Sequence, residues 1–273
     1  MKKVLVALLL LPVMALGLAG CQATEESQTQ GATDAAGPIK IVIVETSAPA
    51  METAKELLKD TLDVEIVLVD KNVDAIRAVQ DGSADGALAV HKRFMESFNE
   101  ENNGTLVMMQ PYSWHTPIGL YSDKYDSVEA LPKGAQIGIA NDAMNMDRGL
   151  RMLADEGIIG LKDGVTGTYT ILDIDDNPKE FEFIDMDQVQ TVRSLEDLDA
   201  VIVFYSHMAN AGKDFSDYLV RDHAQEEYPA QIVVREEDVD TPWAKAIAEA
   251  LRTDEVEDAI NEAFGVGVQE FYE

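Results

Sequence analysis

Pro38-Ile39-Lys40-Ile41-Val42-Ile43-Val44-Glu45-Thr46-Ser47-Ala48-Pro49 is the stretch whose reading decides the fold class. Ile39 to Val44 is dense in β-branched residues, which pack well on an extended, pleated backbone. The run gives way to Thr46, Ser47 and Pro49, and Met51 to Asp60 then reads as a helix-like segment. A second round follows: the apolar run Val64 to Val69, helical spacing over Val73 to Gln80, and a short strand at Gly86 to Val90. Strands alternating with helices predict an α/β fold with a mainly parallel sheet.

The same alternation restarts past the middle of the chain. Gln136 to Ala140 reads as a strand, Met146 to Gly157 as a helix and Ala200 to Tyr205 as another apolar strand. Two α/β lobes are expected, one made of 38–116 with 229–273 and the other of 117–228. Two strand-like runs, Pro117-Ile118-Gly119-Leu120-Tyr121-Ser122 and Gln231-Ile232-Val233-Val234-Arg235, are placed to be the hinge crossings. The tail turns helical at Trp243 to Leu251 and Val256 to Phe264 and is expected to pack back on the first lobe. No short-period repeat of the solenoid kind is present.

At the other end, Lys2 and Lys3 precede an apolar run from Val4 to Leu16 that closes on Leu18-Ala19-Gly20-Cys21. A charged start, a short apolar stretch and small residues before a cut form an export signal, and the run is shorter than a membrane-spanning helix requires. Residues 1–20 are read as a signal peptide. Cys21 is the only cysteine, so it has no internal disulfide partner. Gln22 to Gly37 is polar and small, with almost nothing to bury, and is read as a tether in the segment 21–37. The chain carries 51 acidic and 21 basic side chains, a formal charge of -30. Phosphate backbones are bound by clustered Lys and Arg, so nucleic acid is excluded as an expected partner.

Asn141-Asp142-Ala143-Met144-Asn145-Met146-Asp147-Arg148 resembles the Asn-Asp-x-x-Asn-x-x-Arg signature of methionine-binding lipoproteins of the NlpA type. Other stretches agree in order: Val90-His91-Lys92-Arg93-Phe94, Pro117 to Ser122, Ile171-Leu172-Asp173-Ile174 with Asn177-Pro178-Lys179, and Arg193-Ser194-Leu195. The position of Cys21 after Leu-Ala-Gly likewise resembles the bacterial lipobox, which implies lipidation of its thiol. The resemblance implies a two-lobed periplasmic-binding-protein-like fold of type II, with the ligand in the cleft between lobes. It also implies a lipid-anchored, extracytoplasmic protein that delivers an amino acid, methionine or a related compound, to the permease and ATPase subunits of an ABC importer. No cofactor is implied.

The matched positions have chemistry of their own. Arg148 offers a planar fork of donors suited to a carboxylate. Asn145, three residues earlier, supplies an amide at the start of the following helix. On this reading Arg148→Ala abolishes binding and leaves the fold intact. His91 and Phe94 match a histidine and an aromatic that line the family's pocket, and an aromatic wall suits a thioether. Trp114, with His115 and Thr116, precedes the first crossing, where a loop borders the cleft, although Trp114 equally fits a packing role. The chain departs from the pattern at Asn72 and Ala89, where the family has aromatics, and after Val203, where Phe204 and then Ser206 stand near the place of an asparagine. A different amino acid, a methionine derivative or a short peptide is thus compatible with the sequence.

Enzyme scaffolds are missing: there is no Gly-x-Ser-x-Gly elbow, His-Glu-x-x-His, Walker loop or dinucleotide glycine pattern. Two other readings remain open. His91, His115 and His207 each fall in a segment expected to border the cleft and would together suit a transition metal, and a surface interaction module would need no solute at all.

Overall fold

Ile39–Ile43 is a strand, and Val44 already leads into a short 3-10 turn, Glu45–Ser47. The computed structural model describes residues 37–273, which form one unit. The expected signal peptide, Cys21 and the tether up to Ala36 lie outside the described residues. The helix after the turn, Ala48–Leu58, begins ahead of the expected Met51. Pro49 sits in its first turn, where a fixed φ suits the helix and a missing N–H leaves no bond unmade.

The first sheet has the order Val64–Leu68, Ile39–Ile43, Gly86–Leu88, Val233–Arg235, Leu106–Met108. The first three strands run parallel, with Ile41 level with both Ile66 and Gly86. Val233–Arg235 enters antiparallel to both of its neighbours. Gly86 lets the core close tightly at the centre, since a Cβ there would lie 3.1 Å from the Cδ1 atoms of Ile41 and Ile232 and push them aside. Ala75, Ile76 and Val79 of helix Asn72–Gln80 bury against one face of this sheet with Val42 and Ala87. Helix Lys92–Asn102 on the same side was not apparent in the sequence: it buries Met95 and Phe98, half-buries Phe94, and is otherwise polar.

The second sheet has the order Glu182–Met186, Gln136–Ala140, Ala200–Phe204, Ile118–Tyr121, Val220–Arg221. Its first three strands are parallel and Ile118–Tyr121 is antiparallel to Ala200–Phe204. Helix Ala143–Asp155 starts just after Gln136–Ala140, at the carboxyl edge of the sheet, and Leu150, Met152 and Leu153 bury with Ile137, Ile139 and Phe181. The Cβ-free Gly149 lets Ile139 and Ile202 approach the helix. Each such aliphatic side chain contributes about 1.5–3 kcal/mol by leaving water.

Between the sheets lies a three-stranded ribbon of very short strands, Pro229–Ala230, Trp114–His115 and Glu270–Phe271. It corrects the expected position of the crossings. Pro117 to Ser122 and Gln231 to Arg235 supply strands to the second and first sheets respectively, and the chain passes between sheets one step earlier in each case, at His115↔Pro229 and Trp114↔Ala230. The C-terminal strand closes the other side, Glu270 opposite His115. The tail helices, Pro242–Ala250 and Asp254–Phe264, pack Ile247, Leu251, Val256 and Ile260 against Met51 and Ala54 as expected, and the same cluster continues to Tyr205 and Met208.

Candidate ligand-binding site

His91 ends the chain segment leaving strand Gly86–Leu88 and caps helix Lys92–Asn102, its Nδ1 accepting from the Phe94 N–H at 3.1 Å. That bond fixes the tautomer. Nδ1 carries no proton, so Nε2–H donates, and Asn145 Oδ1 stands 3.2 Å from it. The imidazole is buried, and burial together with the charge of Arg148 pushes its pKa down to about 3. A neutral ring from the side of the first sheet thus bonds an amide on the helix of the second.

Asn145 is oriented from below. Asp142 is the N-cap of helix Ala143–Asp155 and accepts from the Asn145 backbone N–H at 3.0 Å and from Nδ2 at 2.9 Å. Gln188 Nε2 donates to the same carboxylate at 2.9 Å, and His207 Nε2 lies 3.3 Å from Gln188 Oε1. Donors from Asn145 and Gln188 converge on Asp142, a negative charge placed where the N–H groups of the first helical turn favour it.

Arg148 lies one turn further on and is 2% exposed. Its Nε and Nη2 donate to Asp222 Oδ2 at 2.9 and 2.6 Å, and Nη2 also reaches the Thr116 carbonyl at 2.9 Å. Asp222, 4% exposed, takes a further bond on Oδ1 from the Ile118 N–H at 3.0 Å. His115 Nε2 stands 2.9 Å from Nη2, while its Nδ1 faces Glu270 Oε2 at 3.3 Å. Glu270 accepts the Nδ1 proton, so Nε2 offers its lone pair to the guanidinium. Burial and the Arg148 charge hold the His115 pKa down at about 3. The guanidinium plane is covered by Tyr228 at 4.2 Å and Phe204 at 5.1 Å from ring centroid to Cζ. The free carboxylate fork expected of Arg148 is therefore already engaged on its Nε and Nη2 edge. Removing it leaves Asp222 buried without its partner, so the expectation that Arg148→Ala spares the fold is reversed.

The structure brings together five of the expected residues, His91, Phe94, Asn145, Arg148 and Thr116, the last through its backbone carbonyl and a side-chain bond to Gln269. Phe94 meets the His91 ring edge-on at 6.2 Å. Trp114 is buried in the connecting ribbon against Phe271 and belongs to the packing of the largest core cluster. Ser206 is buried in helix Tyr205–Asn210, and Asn72 opens helix Asn72–Gln80; neither has a described side-chain hydrogen bond to this group. The three histidines do not form a metal site: among the described residues no group of three His, Cys, Asp or Glu has that geometry. His115 faces a fixed guanidinium, which repels a cation, and His91 and His207 are committed to hydrogen bonds elsewhere.

Sequence reasoning gave Asp142 no role beyond its place in the matched signature, and it missed Gln188, Asp222, Glu270 and Tyr228. Only Asp142 carried a local signal, as an N-cap three residues before Asn145. The others arrive from distant segments. Beside Asn145, a recess lined by Ala140, Gln188, Thr191, Ile202 and Phe204 has room for about one water molecule. Its lining comes from the second-sheet side alone, and a larger solute does not fit there as the side chains stand.

Two α/β sheets joined by a narrow ribbon, with polar side chains from both meeting over the junction, define a two-lobed solute-binding fold. The comparisons agree. The sequence model of the family described as NlpA lipoprotein matches residues 39–272. The D-methionine-binding lipoprotein MetQ of Yersinia pestis is 32% identical over 258 residues, 92% of this chain and 92% of its own. A nutrient-binding protein from Burkholderia cenocepacia bound to methionine is similar with a TM-score of 0.78 and 30% identity, covering 86% of this chain and 100% of the other. The substrate-binding protein of a methionine transporter from Streptococcus pneumoniae has a TM-score of 0.78 and 29% identity, over 86% and 96%. The chain belongs to the NlpA lipoprotein family.

Proposed function

We propose that this protein is the extracytoplasmic solute-binding component of an ABC importer, anchored through a lipid on Cys21 and loading an amino acid, methionine first, by closing its lobes. The lobes are taken as 38–116 with 229–273 and as 117–228. The observation that carries the reading is the His91 to Asn145 hydrogen bond, which joins the first-sheet side to the second-sheet helix directly over the ribbon. That is the place where a solute lodged between lobes would replace a direct contact with its own polar groups, and where methionine-binding relatives give the ligand its class.

The roles follow from which polar atoms remain. No described hydrogen bond uses Arg148 Nη1, so Arg148 offers the ligand carboxylate one amino group rather than the full fork. Asn145, held by Asp142, keeps its carbonyl for a donor such as the ligand ammonium, replacing His91. Phe94, Tyr228 and Phe204 supply aromatic faces for an apolar or thioether side chain. Binding then favours the closed state by contacts made only there. The chain's part is capture and not chemistry; permease and ATPase would supply translocation.

The test is native mass spectrometry of the purified protein before and after mild unfolding, followed by thermal-shift screening of both methionine enantiomers, other amino acids and short peptides. An amino acid that copurifies and raises the melting temperature supports the reading. Stabilisation by none of these solutes would overturn it and favour a surface interaction module.

A further inference from the structure

We propose that Arg93 is a latch that holds the two lobes together from outside the solute site, a positioning role that rests on the lobe-closure reading above. Arg93 is the second residue of helix Lys92–Asn102, on the first-sheet side, and its side chain is 27% exposed. Its Nη2 stands 3.6 Å from Asp147 Oδ2 on helix Ala143–Asp155 of the second sheet. Its Nη1 donates to Glu227 Oε2 at 3.2 Å, on the segment returning from Val220–Arg221 to the ribbon. Its guanidinium also lies 5.7 Å from the Tyr228 ring centroid, and Arg148 lies against the same ring.

The placement is not explained by the helix that bears it. A cation in the first helical turn faces the positive end of the helix dipole and is disfavoured there, so its compensation has to come from elsewhere. Here it comes from across the cleft. Asp147 is fully buried and already rigid: Arg151 Nε holds both of its oxygens at 2.8 and 3.0 Å, and the Tyr169 N–H bonds Oδ1 at 2.8 Å. Arg93 thus meets a preformed anion, whereas parting of the lobes returns Arg93 to water and leaves Asp147 with Arg151. The contact favours closure with no solute involved, and it lowers the rate at which a bound solute escapes.

The test compares lobe separation in the absence of any solute, so that its outcome does not depend on methionine being the cargo. The full chain carrying Cys21→Ser is spin-labelled at Asp81→Cys and Lys133→Cys, exposed positions on the first-sheet and second-sheet sides, and the interlabel distance distribution is measured by pulsed electron resonance. Arg93→Gln should raise the open-to-closed ratio about fivefold, the scale of one partly exposed ion pair with a cation–π contact. Arg93→Glu should raise it further by facing Asp147 and Glu227 with like charge, and Arg93→Lys should fall between Gln and wild type. If methionine binds, Arg93→Gln should release it about fivefold faster with its association rate unchanged. Distance distributions that are the same in wild type, Arg93→Gln and Arg93→Glu would overturn the latch, as would a wild-type chain that is already fully open.

Discussion

Arg148→Met puts the geometry of the buried ion pair to a quantitative test. The substitution removes two charge-assisted bonds to Asp222 Oδ2, at 2.6 and 2.9 Å, and leaves that carboxylate with the Ile118 N–H alone in a site where both partners are at most 4% exposed. An orphaned buried charge of this kind costs about 3–5 kcal/mol, a large part of the roughly 5–15 kcal/mol by which a domain is stable. Asp222→Leu should cost about the same by stranding the guanidinium. The double variant Arg148→Met with Asp222→Leu removes both charges, so it should cost far less than the sum of the singles, with a coupling of at least about 2 kcal/mol. Urea unfolding followed by far-ultraviolet circular dichroism, on wild type and the three variants, supplies the cycle. Single substitutions that each cost less than about 1 kcal/mol, or that simply add in the double, would refute the claim that Asp222 is the structural partner of Arg148 and restore the free-fork reading.

The neutral histidines make stability depend on pH. His91 and His115 are held at about 3 in the folded chain, against about 6.5 unfolded, so the unfolded state binds more protons as pH falls. Their contribution is complete above pH 6.5 and is lost progressively toward pH 3, about 2 kcal/mol per histidine between pH 7 and pH 5; His91→Gln should flatten that part of a stability-against-pH curve, and an equal slope in wild type and variant would contradict it. Tyr228 is 2% exposed and its hydroxyl has no hydrogen-bond partner among the described residues. Tyr228→Phe should therefore be neutral or stabilise by up to about 1–2 kcal/mol in thermal unfolding without solute, and a loss of more than 1 kcal/mol would show that the hydroxyl is satisfied after all.

The sequence made the α/β class and the strand Gln136–Ala140 legible to the residue, because periodicity and β-branched runs report local burial. It also placed Asn145 and Arg148 on one helix, a relation of spacing. What it could not convey was closure over distance. Asp222 meets Arg148 only after the chain has built three more strands of the second sheet, and nothing near Asp222 in sequence marks it. The ribbon strands Trp114–His115, Pro229–Ala230 and Glu270–Phe271 are two residues each, too short to have a period, so the longer apolar runs beside them attracted the hinge reading. Helix Lys92–Asn102 stayed hidden for the opposite reason: its few apolar residues reflect a helix that lies largely in water, and the signal that starts it is an imidazole acting as cap.

The most direct test of the account is isothermal titration of L- and D-methionine into the wild-type protein and its Asn145→Ala variant. The account predicts saturable one-to-one binding of at least one enantiomer to wild type with a negative heat-capacity change, as apolar surface closes over the side chain, and at least about tenfold weaker binding to the variant, the scale of a lost hydrogen bond to a charged group. Wild-type binding that Asn145→Ala leaves untouched, or no binding of either enantiomer, would contradict it.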